Sequence, residues 1–118
     1  MVQPVKIEIP PLSKMILPVV FIIDASGEMS GHRIAAVNFA MEQTIDKIRL
    51  FNEENPCVEI KIAILDFSTR AMWHTDGLVE PSKCIFDRLD ANGQTNMGEA
   101  FRELHSKRFC QRGVHYEM

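Results

Sequence analysis

The segment that most restricts the fold is residues 16–23, ILPVVFII, followed at once by Asp24. A nearly continuous run of β-branched and large apolar residues suits a strand whose two faces are both covered. Such strands usually belong to parallel sheets with helices above and below. The run is too short to cross a bilayer and is interrupted by Pro18. It also lacks the basic start and small-residue cleavage site of a secretory signal. These features predict a strand in a cytoplasmic protein that does not engage membrane.

Four further stretches carry a pattern. Residues 32–51 place Ile34, Val37, Met41, Ile45, Ile48 and Phe51 at three- and four-residue spacing, which predicts a helix ended by residues 52–56. Val58–Phe67 (VEIKIAILDF) sets Val58, Ile60, Ile62 and Ile64 on one face of a second strand. Ser68, Thr69 and Arg70 form a turn into a short strand over 71–74, expected to run antiparallel to it. A second helix is expected over 97–107, after the loop Gly93-Gln94-Thr95-Asn96. Residues 75–93 read as irregular, with one helical turn near 83–86. Val5, Ile7 and Ile9 alternate with Lys6 and Glu8, as in a short edge strand stopped by Pro10 and Pro11.

The order strand, helix, strand, hairpin strand, helix predicts an α/β fold around parallel strands. The organisation expected is an N-terminal arm over 1–14, a body over 15–107 and an irregular tail over 108–118. With 118 residues there is room for one small domain. An apolar fraction of 46% and a charged fraction of 25% fit a globular protein and exclude a disordered one. The net charge is −3, with Lys and Arg scattered among Asp and Glu. No basic face is left for phosphates, so no nucleic-acid partner is expected. Cys57, Cys84 and Cys110 are odd in number and form no CxxC pair, which predicts free thiols.

Ligands of open α/β sheets bind at the carboxyl ends of the strands, and Asp24 stands at such an end. In extended backbone, residues two apart point the same way, so Asp24 and Ser26 can converge. A carboxylate and a hydroxyl are hard oxygen donors, suited to Mg²⁺, Mn²⁺ or Ca²⁺. Glycines at 27 and 31 let the loop turn tightly. Each residue also has a plainer role. Asp24 can bind loop amides, and Ser26 can be an ordinary loop hydroxyl. Ser30 reads as a helix N-cap, and Glu28 as a solvated acid. Thr95 or Asn96 can cap the second helix, with Glu99 completing a capping box. Asp66, on the apolar face of its strand, reads as a hydrogen-bonded structural acid. Trp73 reads as a half-buried anchor, and His32, His74, His105 and His115 have no ligand spacing.

The stretch Asp24-Ala25-Ser26-Gly27-Glu28-Met29-Ser30-Gly31 resembles the metal-ion-dependent adhesion site of von Willebrand factor A domains, whose signature is Asp-x-Ser-x-Ser after an apolar strand. Residues 33–38, the strand segment 60–68 and residues 93–100 are similar in style to the bacterial tellurite-resistance, TerY-like, group of that superfamily. The resemblance covers roughly residues 17–104. It implies a Rossmann-like von Willebrand A half-domain in which Asp24, Ser26 and Thr95 hold a divalent cation. Glu28 stands where the signature has its second Ser. A later Asp of the family has no counterpart, because the C-terminal strands, one of which would deliver it, are expected to be missing. The resemblance further implies a non-enzymatic module that recruits a protein partner through its metal face, in a bacterial stress-signalling setting. Glu28 has the reach to occupy the place a partner carboxylate takes in the family.

Two other readings compete. A phosphoryl-transfer domain using Asp24 would want a second Asp at position 26 (the haloacid-dehalogenase pattern) or an earlier acidic pair (the receiver pattern), and neither is present. No GxxxxGK[ST] or GxSxG motif occurs either. The remaining reading is an inert fragment. Without the three further strands that the full A-type fold places beside the first one, residues 17–23 would be an open sheet edge, expected to be covered by a homo-oligomer, by strand exchange or by a second polypeptide.

Overall fold

The computed structural model describes residues 14–111 and 114–117. The short strand expected at Val5–Ile9 lies outside them. The first strand, β1, spans Met15–Asp24 and pairs in parallel with β2, Val58–Phe67. The ladder runs from Met15 opposite Val58 to Asp24 opposite Phe67. After a turn at 68–70, β3 (Ala71–Trp73) pairs antiparallel with the end of β2, with Leu65 opposite Trp73. The order β1-β2-β3 puts β2 in the middle of a mixed three-stranded sheet. Its Ile62, Ala63, Ile64 and Leu65 are accordingly fully buried.

The period-two alternation of β2 divides the core in two. Ile62 and Ile64 face Ile34, Met41 and Ile45 of α1, His32–Glu54, together with Ile23 of β1. Leu65 and Phe67 face the other way, onto Ala100 and Leu104 of α2, Met97–Ser106. One helix therefore covers each face of the sheet, as expected of an α/β fold. Among the described residues no helix is long and apolar enough to cross a membrane.

α1 departs from the apolar spacing at two places. Phe51 is exposed, while Asn38 is buried on the same stripe as Ile34, Met41 and Ile45. Asn38 Nδ2 donates to Leu89 O at 3.0 Å, and Leu89 N donates to Asn38 Oδ1 at 2.8 Å. That amide clamp ties the irregular segment after β3 onto the helix. Asn52, expected to terminate α1, lies inside it and clamps Ile60 in the same two-bond way. The helix runs on to Glu54, and Asn55 Nδ2 closes its end by donating to Phe51 O.

The segment between β3 and α2 is held by other long-range contacts. Val79 and Ile62 exchange both backbone hydrogen bonds in an isolated antiparallel bridge. Its one helical turn is a 3₁₀ turn at Pro81–Lys83, slightly earlier than expected, because Pro81 supplies a fixed φ at its first position. Residues 108–118, expected to be an irregular tail, contain a second sheet. Its strands β4 (Arg108–Gln111) and β5 (Val114–Glu117) pair antiparallel, with Phe109 opposite Tyr116. Two four-residue strands are too short for a periodic signal, and their pairing is what defines them.

Candidate metal centre

β1 delivers Asp24 to the carboxyl end of the sheet, beside Phe67 of β2. Its backbone then continues the ladder by one more bond, Ala25 N to Phe67 O at 2.8 Å. Asp24 is half-buried, and its Oδ1 accepts from Ser26 N at 2.9 Å. This is the amide-binding role foreseen for Asp24, and it draws Ser26 inward. Ser26 is 1% exposed, and its Oγ has no hydrogen-bond partner within the protein. Among the described residues it is the only such buried side-chain atom.

Buried hydroxyls are nearly always paired, because an unpaired one costs on the order of 1–3 kcal/mol. Among the described residues the protein itself supplies no partner for this hydroxyl, which lies two residues from a carboxylate. Among the described residues no three or more His, Cys, Asp or Glu side chains gather as a ligand set. The donors available here are of the carboxylate and hydroxyl kind, whose chemistry suits a hard cation.

The loop carrying Thr95 is knitted to the same place. Asn92 N donates to Ala25 O at 3.0 Å, and Gly27 N donates to Gly93 O at 2.9 Å. On the other side Gln94 N donates to Thr69 Oγ1 at 3.1 Å, and Asn96 N donates to Ser68 O at 2.9 Å. Residues 92–96 thus bridge the ends of β1 and β2, with Thr95 exposed between two anchored neighbours. Gly93 makes this approach possible. Its φ is +79°, and a Cβ there would stand 2.8 Å from Thr69 Oγ1. Neither the backbone conformation nor the space admits another residue without strain.

Glu28 is exposed on a 3₁₀ turn, Gly27–Met29. That turn also displaces the expected helix cap. Ser30 closes the 3₁₀ turn, and the residue before α1 is Gly31, with φ of 79° and no side-chain cap. Asn96 does cap α2, its Oδ1 accepting from Glu99 N at 3.0 Å. The reciprocal half of a capping box is missing, because Asn96 N is spent on Ser68 and the Glu99 carboxylate binds Arg102. Asp66 is hydrogen-bonded to the His74 side chain, across the β2–β3 pair. Trp73 is half-buried, donates to Glu103 Oε1 at 2.9 Å and lies under Lys107 Nζ. Cys57 is exposed and Cys84 partly buried, both as free thiols.

Two residues gain roles that their sequence positions do not assign: Asn38, which clamps Leu89, and Ser68, which holds the 92–96 loop through Asn96 N. Asn38 carried a legible signal, a polar residue on an apolar helix stripe. Ser68 carried none, since its role is played by its backbone carbonyl.

No protein-family model matches the chain, and no curated protein matches it.

Proposed function

We propose that this chain is a non-enzymatic binding module of von Willebrand A type that holds a divalent cation, Mg²⁺ or its close analogues Mn²⁺ and Ca²⁺. The observation that carries the reading is the buried, unpartnered Ser26 Oγ beside Asp24, under a loop that brings Thr95 to the same strand ends. In this reading Asp24, Ser26 and Thr95 supply oxygen ligands. The cation supplies a Lewis-acidic point on the surface that a partner protein's carboxylate can join. Glu28, carried on the adjoining turn, competes for that position from within the chain.

The finer fold assignment belongs to the same proposal. We read the parallel β1–α1–β2 unit with its antiparallel β3 and flanking helices as the first half of a Rossmann-like von Willebrand A domain, a reading supported by the order of the elements. By the same resemblance the setting would be cytoplasmic, in a bacterial tellurite-resistance or related stress-signalling system, and the attribution rests on analogy.

Calorimetric titration of magnesium and manganese into the wild type and Asp24→Ala tests the reading. Binding heat in the wild type that disappears in the variant supports it. Absence of heat in the wild type, or heat that survives in Asp24→Ala, rejects it. Phosphorylation of Asp24 by a small phosphodonor would instead indicate the phosphoryl-transfer alternative. The Glu28→Ser variant tests the competing acid: it should change cation affinity and open partner binding.

A further inference from the structure

The loop over 92–96 is fixed at both of its ends. At its start Asn92 N donates to Ala25 O, and Gly93 O accepts from Gly27 N. At its end Asn96 N donates to Ser68 O, and the Asn96 side chain caps α2, whose Ala100 is fully buried in one cluster with Leu65 and Phe67. Ser68 is itself held by its bond to Arg70 O, at the closed end of the β2–β3 hairpin. Two residues, Gln94 and Thr95, lie between these fixed points. Among the described residues the bond that reaches into that stretch is Gln94 N to Thr69 Oγ1, at 3.1 Å.

That bond differs in kind from its neighbours. Ala25, Gly93 and Ser68 accept through backbone carbonyls, which any residue supplies. Thr69 accepts through a side-chain hydroxyl on an exposed turn, so this link alone among them is written in a side chain. The hydroxyl also occupies the space where a side chain at 93 would begin. A Cβ on Gly93 would lie 2.8 Å from Thr69 Oγ1 and 3.6 Å from Ser68 Cβ and Oγ. The positive φ of Gly93 and the hydroxyl of Thr69 are thus matched halves of one contact.

We propose that Thr69 is a positioning residue of the cation site: its hydroxyl fixes Gln94 and so holds Thr95 in place before a cation arrives. The proposal rests on the reading of Asp24, Ser26 and Thr95 as ligands, and Thr69 itself is not one of them. A loop ordered in advance loses less conformational freedom on binding, which preserves affinity. One neutral hydrogen bond corresponds to about a three- to tenfold change in an equilibrium constant.

The test titrates Mn²⁺ alone into the 118-residue chain and follows the electron paramagnetic resonance signal of the free ion. Thr69→Val keeps the shape of the side chain and removes the acceptor, whereas Thr69→Ser keeps the acceptor. Thr69→Val should weaken Mn²⁺ binding about three- to tenfold, and Thr69→Ser should stay within about twofold of wild type. Far-UV circular dichroism should be the same in all three, because Thr69 is exposed. In metal-free protein the Gln94 amide should exchange its hydrogen faster in Thr69→Val than in wild type. Wild-type affinity in Thr69→Val, a Thr69→Ser variant as weak as Thr69→Val, or unchanged Gln94 exchange overturns the role of Thr69 and leaves the cation reading standing. A wild type that binds no Mn²⁺ overturns both, so the wild-type titration tells the two failures apart.

Discussion

Replacing Ser26 by Ala should have opposite effects in the absence and presence of magnesium. The Ser26 hydroxyl is buried at 1% exposure and unpartnered within the protein. Leaving a hydroxyl in that state costs about 1–3 kcal/mol, and the methyl of Ala does not incur it. The small void left by one oxygen offsets part of the gain. The net expectation for metal-free protein is a stabilisation of about 1 kcal/mol, or a rise in Tm of roughly 4 °C for a domain of this size. A cation held by Ser26 stabilises only the folded wild type. At free magnesium ten times Kd that linkage is worth about 1.4 kcal/mol. Wild-type Tm should therefore climb with magnesium toward or past that of Ser26→Ala, while the variant responds weakly. Differential scanning fluorimetry with chelator and with magnesium reads both limbs. A metal-free Ser26→Ala that melts below wild type would mean the hydroxyl is already satisfied. A variant with the full magnesium response would mean it is not a ligand.

Asn38→Ala removes both bonds to the Leu89 backbone and leaves two buried polar groups unpaired, costing about 2–5 kcal/mol; urea denaturation should show a lower midpoint. Gly93→Ala forces a Cβ toward Thr69 Oγ1 at positive φ, costing about 1–3 kcal/mol and loosening the loop over Asp24, to be read as a lower Tm together with weaker metal binding. Burial pushes the Cys84 thiol above its ordinary pKa, so at any given pH less thiolate is present and modification is slower. Mass-resolved alkylation at neutral pH should modify exposed Cys57 before Cys84, with the Cys84 rate still rising at higher pH than an unperturbed thiol's would.

The central elements were legible because their signals are local. The run at 16–23 became β1 with one residue added at each end, and β2 matched Val58–Phe67 without adjustment. β2 owes its pattern to burial on two faces, whereas β1, expected to be covered on both, keeps Leu17 and Ile22 exposed and buries only Ile23 fully. What escaped the sequence reading depends on partners far away in the chain. Asn38 stands out as a polar residue on an apolar stripe, but its partner Leu89, fifty-one positions on, has no mark in the sequence. The Ile62–Val79 bridge organises a stretch with no periodicity of its own. Ser30 was displaced from the cap because a 3₁₀ turn, which has no strong sequence mark, intervenes before α1. At the candidate site, the Asp24 carboxylate accepts from the Ser26 backbone amide, the plainer of its two expected roles, while convergence of the two side chains on one cation belongs to the proposal. The meeting of the Gly27 and Gly93 loops could be inferred only from the resemblance, since no local pattern encodes contact between residues so distant.

In the proposed site a hard cation sits between the loop after β1 and the loop before α2. Paramagnetic broadening by Mn²⁺ in a ¹⁵N–¹H correlation spectrum tests this most directly. At substoichiometric Mn²⁺ the amides of Ser26, Gly27, Gly93 and Thr95 should fade together and first, and excess Mg²⁺ should restore them. Broadening centred instead on the surface acids Glu42 and Asp46 of α1, or spread evenly over the chain, would contradict it.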